Sequence, residues 1–332
     1  MKVSRRQALA GIAGVAMAGP VFGQTADGPP VLASLDGSVE ATAVYHYLWD
    51  IYGKKTLTGQ QESIWQEGGP RHELNYIQKT TGKEPALLGL DYIDPKDRQG
   101  VNDRATAWYE RGGIPTICWH WGNPLIGPGY EQSKTYFDAK KALIDPESAE
   151  HKAMWRDLTE IGDHLEQLRD RKVPVLWRPF HEFTGDWFWW GKQGPEVFKA
   201  LWLVMFDYYT RQRKLDNLIW VLGYSRKVDP AYHPGEGHYD ILSADNYIPN
   251  HDPQKGMWDD LKALGGRQPI AMQENGPIPD PELMTAQGTP WLFFLTWHSE
   301  FIMDGKANDA AFLKRAYNDE RFVTLDEMPG WS

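Results

Sequence analysis

The sequence has only one cysteine, Cys118, among its 332 residues. A single cysteine cannot form an intrachain disulfide, so we expect packing alone to hold the core together. Cys118 lies in an apolar run typical of a strand, and we expect it to be a small buried hydrophobic residue rather than a nucleophile.

Basic residues are also in short supply, with 35 Lys and Arg against 45 Asp and Glu, a formal net charge of −10. This balance argues against a nucleic-acid partner and favours neutral over anionic substrates. After the first 23 residues, no run reaches the roughly 18 uncharged apolar residues that a membrane-spanning helix needs. We therefore expect neither a nucleic-acid nor a membrane partner.

Residues 1–23 read as an export signal, with a basic start, a weakly apolar run and small residues at the end. The adjacent Arg5 and Arg6 resemble the twin-arginine type of signal. We expect cleavage before Gln24 and a bacterial protein that is periplasmic or secreted. The alternative is an N-terminal helix that stays attached.

Short apolar runs alternate with longer stretches of helical period, which is typical of β-α units around a parallel sheet. The apolar runs predict eight strands, at residues 56–59, 86–90, 115–119, 173–178, 218–222, 240–243, 269–273 and 291–296. The predicted fold class is α/β, a single (β/α)8 TIM barrel spanning residues 24–332. An open doubly wound sheet is the alternative, but the glycine-rich phosphate turn that usually follows its first strand is missing.

The clearest helix precedes the fourth predicted strand. Its apolar residues recur at alternating steps of four and three: Met154, Leu158, Ile161, Leu165 and Leu168. Asp145 and Pro146 are predicted to supply its cap and first-turn proline. Further helices are expected at residues 39–52, 101–111, 196–213, 257–264 and 310–316.

Polar and aromatic residues follow several of the predicted strands. Because the C-terminal ends of parallel barrel strands meet at one mouth, we expect these side chains to lie together. Those runs are WHWGN at residues 119–123, RPFHE at 178–182, DNY at 245–247, ENG at 274–276 and WH at 297–298.

Two carboxylates stand out in these runs, Glu182 and Glu274. A buried charge is costly unless it is used or paired, and a pair of salt-bridged glutamates is the alternative interpretation. Trp187, Trp189 and Trp190 follow Glu182 in a glycine-bounded loop, where we expect them to stack on sugar rings rather than to fill a core. Paired glutamates beside an aromatic groove are typical of glycoside hydrolysis.

The sequence resembles glycoside hydrolase family 26, whose best-known members are endo-β-1,4-mannanases. The resemblance covers most of residues 24–332, and its most specific part extends from Arg178 to Glu182 and on through the tryptophan loop to Gly191. The other matching runs are TGQQ at residues 58–61, LGLDY at 88–92, WHW at 119–121, YHPG at 232–235 and PIAMQE at 269–274.

The resemblance implies a (β/α)8 barrel in which Glu182 is the acid/base and Glu274 the nucleophile. It also implies a set of residues that line the subsite of the attacked sugar: His120, Arg178, His181, Trp187, Asp245, Tyr247 and Trp297. His298 departs from the pattern, because some similar mannanases carry arginine there. A retaining reaction predicts carboxyl groups about 5 to 5.5 Å apart.

Several alternatives remain open. Within the family they are β-1,3-xylanase and mixed-linkage β-glucanase, and outside it a non-catalytic polysaccharide-binding barrel. A metal hydrolase that uses His120, His181 and His298 is a further alternative, but the sequence has no HExxH motif. We expect a neutral polysaccharide as substrate and no metal or other cofactor.

Overall fold

A computed structural model of the protein describes residues 31–34 and 36–331. Eight parallel strands, β2 to β9, follow one another in sequence order around a closed barrel. The predicted (β/α)8 TIM barrel is therefore confirmed. The predicted export signal at residues 1–23 and its cleavage site lie outside the described residues.

The barrel strands are short and almost wholly buried, as expected where helices cover a parallel sheet. In chain order they are β2 Gly59–Gln61, β3 Leu87–Asp91, β4 Ile114–Cys118, β5 Val175–Arg178, β6 Leu218–Ser225, β7 Ile241–Asn246, β8 Ile270–Asn275 and β9 Phe294–Thr296. The last strand pairs with the first through Gln60 and Thr296, which closes the barrel.

The first predicted strand, at residues 56–59, is wrong in its bounds. Its first half is a separate strand, β1 (Thr56–Leu57), which pairs outside the barrel with β10 (Phe322–Val323). Thr58 then donates its hydroxyl hydrogen to the Val323 carbonyl, 2.9 Å away, and the chain crosses from the outer pair into the barrel.

The five further predicted helices are present, with ends shifted by up to three residues. A π-helical turn at Asp207–Gln212 replaces the end of the third of them. The α-helices are α1 Val39–Ile51, α2 His72–Thr81, α3 Arg98–Glu110, α4 Tyr130–Ser133, α5 Ala139–Ile144, α6 Ala149–Asp170, α7 Pro195–Phe206, α8 Lys255–Leu264, α9 Pro281–Gln287, α10 Glu300–Met303 and α11 Ala310–Ala316. No helix in the described part of the chain combines the length and apolar character that crossing a membrane requires.

The predicted cap of the clearest helix, now α6, is wrong. Asp145 and Pro146 lie in a turn before the helix, and the N-cap is Ser148, whose side chain accepts a hydrogen bond from the His151 amide, 3.0 Å away. Asp145 instead accepts the amide of Glu147 within that turn, 3.1 Å away. Both residues are good cap formers, so the sequence alone does not choose between them.

The barrel is closed at the end opposite the expected site. Helix α1 buries Ala41, Val44, Tyr45 and Leu48. These residues belong to the same apolar cluster as barrel residues such as Ile219. Helix α1 therefore packs against the barrel, and the expected site lies at the C-terminal ends of the strands.

Candidate active site

Both predicted carboxylates lie at the C-terminal mouth. Glu274 is the fifth residue of β8, and Glu182 follows β5 by four residues. Phe180 and Glu182 have positive φ angles of 50° and 56°, a rare and strained conformation for side chains of this size. The Glu182 amide donates to the Gly223 carbonyl of β6, 3.1 Å away, which anchors this turn across the mouth.

Glu274 is buried and accepts hydrogen bonds on both of its oxygens. Arg178, at the end of β5, donates to Oε2, and the Tyr247 hydroxyl donates to Oε1 at 2.7 Å. Arg178 is itself held by Asp245, with 2.9 Å between Nη1 and Oδ2. Burial of the hydroxyl and the negative charge of Glu274 raise the pKa of Tyr247, so the tyrosine remains a hydrogen-bond donor. These contacts fix the orientation of the Glu274 carboxylate.

Glu182 has a different environment. Burial, followed by the negative charge of Glu274, raises the pKa of Glu182 to about 7. The indole N–H of Trp187, which donates to Oε2 at 2.7 Å, and the charges of Arg178 and His120 partly oppose this rise. Glu182 is therefore protonated in a large fraction of molecules at neutral pH. The two carboxylates have opposite roles available to them, one as acid and one as base or nucleophile.

His120 and His181 are hydrogen-bonded to each other, with 3.0 Å between their Nε2 atoms. Burial lowers the pKa of His120, but the charge and hydrogen bond of Asp91 outweigh burial and the net shift is upward. Burial and the neighbouring charge of His120 lower the pKa of His181. These opposite shifts favour His120 as the donor and His181 as the acceptor of the hydrogen bond between them. The indole of Trp190 donates to the His181 carbonyl at 2.8 Å and supports the pair.

The expectation that three loop tryptophans face the ligand is wrong for two of them. Trp189 and Trp190 are 0% and 1% exposed and pack in the main core. Their indole nitrogens donate to backbone carbonyls, which lets the loop bury large rings without losing hydrogen bonds. Only Trp187 is partly exposed.

Trp297 lies just past β9, where its amide donates to the Asn275 carbonyl at 2.8 Å. Its ring is partly exposed and its centroid is 6.0 Å from that of His120. The structure therefore places all nine predicted site residues at one mouth: Glu182, Glu274, His120, Arg178, His181, Trp187, Asp245, Tyr247 and Trp297.

Two residues of this mouth, Asp91 and Tyr130, were not predicted from the sequence. Asp91 accepts hydrogen bonds from both the backbone and the ring of His120. It is the last residue of β3, so the same end-of-strand rule could have found it. Tyr130 is 46% exposed, and its ring lies 5.5 Å from that of His120. It is the first residue of the short helix α4, after a loop without a recognisable pattern, and no sequence signal pointed to it.

The mouth also contains a group with metal-ligating side chains. Asp91, Cys118 and His120 each offer one ligand atom, and these atoms lie within 4.8 Å of one another. Cys118 is buried, as predicted, and burial raises the pKa of its thiol. The thiol therefore favours its protonated form, and a metal ion bound here would have to displace that proton.

Comparison with known proteins assigns the chain to a family. The family model described as Glycosyl hydrolase family 26 matches residues 34–327. A mannan endo-1,4-beta-mannosidase of Thermothelomyces thermophilus is 36% identical over 308 residues, which cover 88% of this chain and 62% of that protein. This chain spans only 51% to 62% of the lengths of the first three curated relatives that it matches.

Two solved structures are similar over nearly the whole chain. One is a beta-mannanase from a symbiotic protist of the termite Reticulitermes speratus, complexed with gluco-manno-oligosaccharide, with a TM-score of 0.82 and 32% identity over 90% of this chain and 98% of that one. The other is the Podospora anserina GH26-CBM35 beta-(1,4)-mannanase, with a TM-score of 0.83 and 35% identity over 92% of this chain and 70% of that one.

Proposed function

This chain belongs to Glycosyl hydrolase family 26, and from that premise we propose that it is a retaining mannan endo-1,4-β-mannosidase. The observation that carries the proposal is that two carboxylates at one mouth have different environments. Arg178 and Tyr247 bind Glu274, whereas Glu182 has a pKa raised to about 7. Retaining hydrolysis requires one carboxylate that attacks and one carboxylic acid that donates a proton.

In the first step, Glu182 donates its proton to the glycosidic oxygen as Glu274 attacks the anomeric carbon. The C–O bond to the leaving sugar breaks, and a covalent glycosyl-enzyme ester forms at Glu274. The ester has no negative charge, so the contribution of Glu274 to the raised pKa of Glu182 disappears. The ionised Glu182 can then accept a proton from water in the second step.

The attacked sugar is proposed to bind between Trp297 and the two histidines. Trp297 offers a partly exposed ring for stacking, and the hydrogen-bonded pair of His120 and His181 lies beside it. Asp245 contributes indirectly, since it fixes the Arg178 guanidinium that holds Glu274. The acidic composition of the chain suits a neutral polysaccharide.

The curated relatives and the solved neighbours support β-mannan as the substrate, because their names specify mannan endo-1,4-beta-mannosidase or mannanase. We propose the periplasm or the extracellular space as the site of action, since a large polysaccharide has to be met outside the cell and residues 1–23 have the composition of an export signal.

The decisive experiment compares products from linear mannan, galactomannan, β-1,3-xylan and lichenan. We expect manno-oligosaccharides of several lengths from the first two substrates, and the first product should keep the β configuration in a proton NMR time course. Preferential release of xylose or glucose oligomers would indicate that the substrate is β-1,3-xylan or mixed-linkage β-glucan and not mannan. Loss of activity after dialysis against a strong chelator would instead favour the metal-hydrolase alternative.

A further inference from the structure

An aromatic row leads from the two catalytic carboxylates to the outer rim of the mouth. It runs from His120 through Trp297 and His298 to Trp65, with ring centroids 6.0, 5.0 and 4.7 Å apart in that order. Trp65 is the outermost ring and is 62% exposed. The Trp65 and His298 rings are nearly perpendicular, at 87°, so their contact covers at most one face of the indole. A broad apolar face is left open to solvent.

The segment that carries Trp65 is fixed to the loop after β9. Gln66 donates to the Ser299 hydroxyl at 2.8 Å, and the Ser299 amide donates to the fully buried Glu73 at 3.0 Å. Glu73 also accepts the hydroxyl hydrogen of Ser63, two residues before Trp65 in the chain, at 2.6 Å. The indole is thus held between two anchored residues, and a ligand that stacks on it loses little free energy to ordering the loop.

We propose that Trp65 is the stacking platform of a distal sugar subsite, which binds the substrate chain beyond the attacked sugar on its non-reducing side. The proposal rests on the proposed function and deepens it. A pyranose ring has an apolar C–H face and a rim of hydroxyls, which fit an open indole face next to a polar ring. Nδ1 of His298 contacts the Ser299 hydroxyl at 3.0 Å, and within the described residues its Nε2 has no hydrogen bond, so Nε2 is free to bind a sugar hydroxyl.

The direction of the chain follows from the positions of the strands. The proton donor Glu182 marks the leaving-group side of the scissile bond. Glu182 follows β5, which is separated from β2 in the barrel by β3 and β4. Trp65 follows β2, and Trp297 and His298 follow β9, the neighbour of β2 across the barrel seam. Trp65 therefore lies on the side away from the leaving group, where the non-reducing part of the chain is bound.

The test uses activated aryl β-glycosides of mannose, mannobiose, mannotriose and mannotetraose, in which only the non-reducing side grows. In the wild type, kcat/KM should rise as sugars are added. In Trp65→Ala, the increase in kcat/KM that comes from adding the sugar that reaches residue 65 should be about tenfold smaller, equivalent to about 1.4 kcal/mol. For the shorter glycosides, kcat/KM should stay unchanged.

Two control variants separate stacking from structure. Trp65→Phe keeps a flat ring and should retain most of the gain. Tyr136→Ala removes another exposed aromatic ring, 69% exposed and on a different loop, and should leave the whole series unchanged. Thermal unfolding of all three variants should match the wild type, because the altered rings are largely exposed.

A second readout fixes the direction of the chain. With mannohexaose labelled by ¹⁸O at the reducing end, Trp65→Ala should move the preferred cleavage toward the non-reducing end. A shift toward the reducing end, or an equal loss for every glycoside length, would overturn the subsite. Inactivity of the wild type on all mannosides would instead refute the proposed function and is distinguishable from either result.

Discussion

At the scale of single residues, Glu182 and Glu274 have the same chemistry and different surroundings. Arg178 and Tyr247 donate hydrogen bonds to Glu274, whereas burial and the negative charge of Glu274 raise the pKa of Glu182 to about 7. Neighbouring groups are therefore what distinguish the proposed acid from the proposed nucleophile. Removal of either carboxylate should therefore produce a different kinetic defect.

We expect Glu274→Ala to reduce kcat on every substrate by at least about a thousandfold, because no covalent intermediate can form. Glu182→Ala should lower kcat/KM on mannan strongly but affect activated aryl mannosides much less, since a good leaving group needs no proton. Steady-state kinetics on both substrates measures the difference. Small and equal effects of the two substitutions would contradict the assignment.

The pH dependence follows from the pKa of Glu182, which burial and the charge of Glu274 raise to about 7. The first step needs protonated Glu182, so kcat/KM should decrease as the pH rises through about 7. Trp187 donates a hydrogen bond to the carboxylate and lowers its pKa. Trp187→Phe should therefore move the alkaline limb of the pH profile to higher pH. A shift to lower pH would show that the hydrogen bond has another role.

At the scale of elements, the loop after β5 combines two tasks that the sequence does not separate. Trp189 and Trp190 fill the core, and Trp187, from the same short loop, donates a hydrogen bond to Glu182. The buried pair anchors the loop, and the strained turn at Phe180 and Glu182 aims its carboxylate into the mouth. The burial of Trp189 and Trp190 therefore helps to place Trp187 beside Glu182.

Mutation can test whether Ser148 is the N-cap of the long helix α6. Ser148→Ala removes the side chain that accepts the His151 amide and should lower the free energy of unfolding by about 1 kcal/mol. Asp145→Ala is the matched control, because Asp145 accepts only the Glu147 amide outside the helix and should change stability by less than about 0.5 kcal/mol. Urea unfolding of both variants measures the difference. A larger loss of unfolding free energy in Asp145→Ala than in Ser148→Ala would indicate that Asp145 is the cap after all.

At the scale of the whole molecule, closure of the barrel depends on a close approach between its first and last strands. A Cβ atom on Gly59 would lie 2.5 Å from the Phe294 carbonyl oxygen and 2.8 Å from Leu295 Cδ1. The backbone of β9 cannot move away without opening the seam, where Gln60 and Thr296 pair. The glycine is therefore required by packing between strands.

We expect Gly59→Ala to destabilise the protein by about 1 to 3 kcal/mol, the usual cost of overpacking a tight interior. Gly256, in helix α8, has no atom within 4 Å of an added Cβ. Gly256→Ala should leave stability unchanged or raise it by up to about 1 kcal/mol, since alanine favours helix. Calorimetric melting of the two variants compares them. Equal melting temperatures would mean that the seam yields easily.

The sequence alone was sufficient for the barrel and for most of the residues of the mouth. Eight apolar runs predicted eight strands, because burial on both faces requires continuous hydrophobic residues. The end-of-strand rule and the family resemblance together selected the nine residues that the structure places at one mouth, and Asp91 would have followed from the same rule.

Tertiary structure alone decided which rings face the mouth, where the first barrel strand begins and which residue caps α6. Trp187, Trp189 and Trp190 are nearly adjacent and chemically identical, and only the packing of their loop assigns one to the mouth and two to the core. The row that ends at Trp65 joins residues more than 230 positions apart. Such contacts depend on the closure of the barrel, which brings β9 beside β2, and local sequence has no information about this distance.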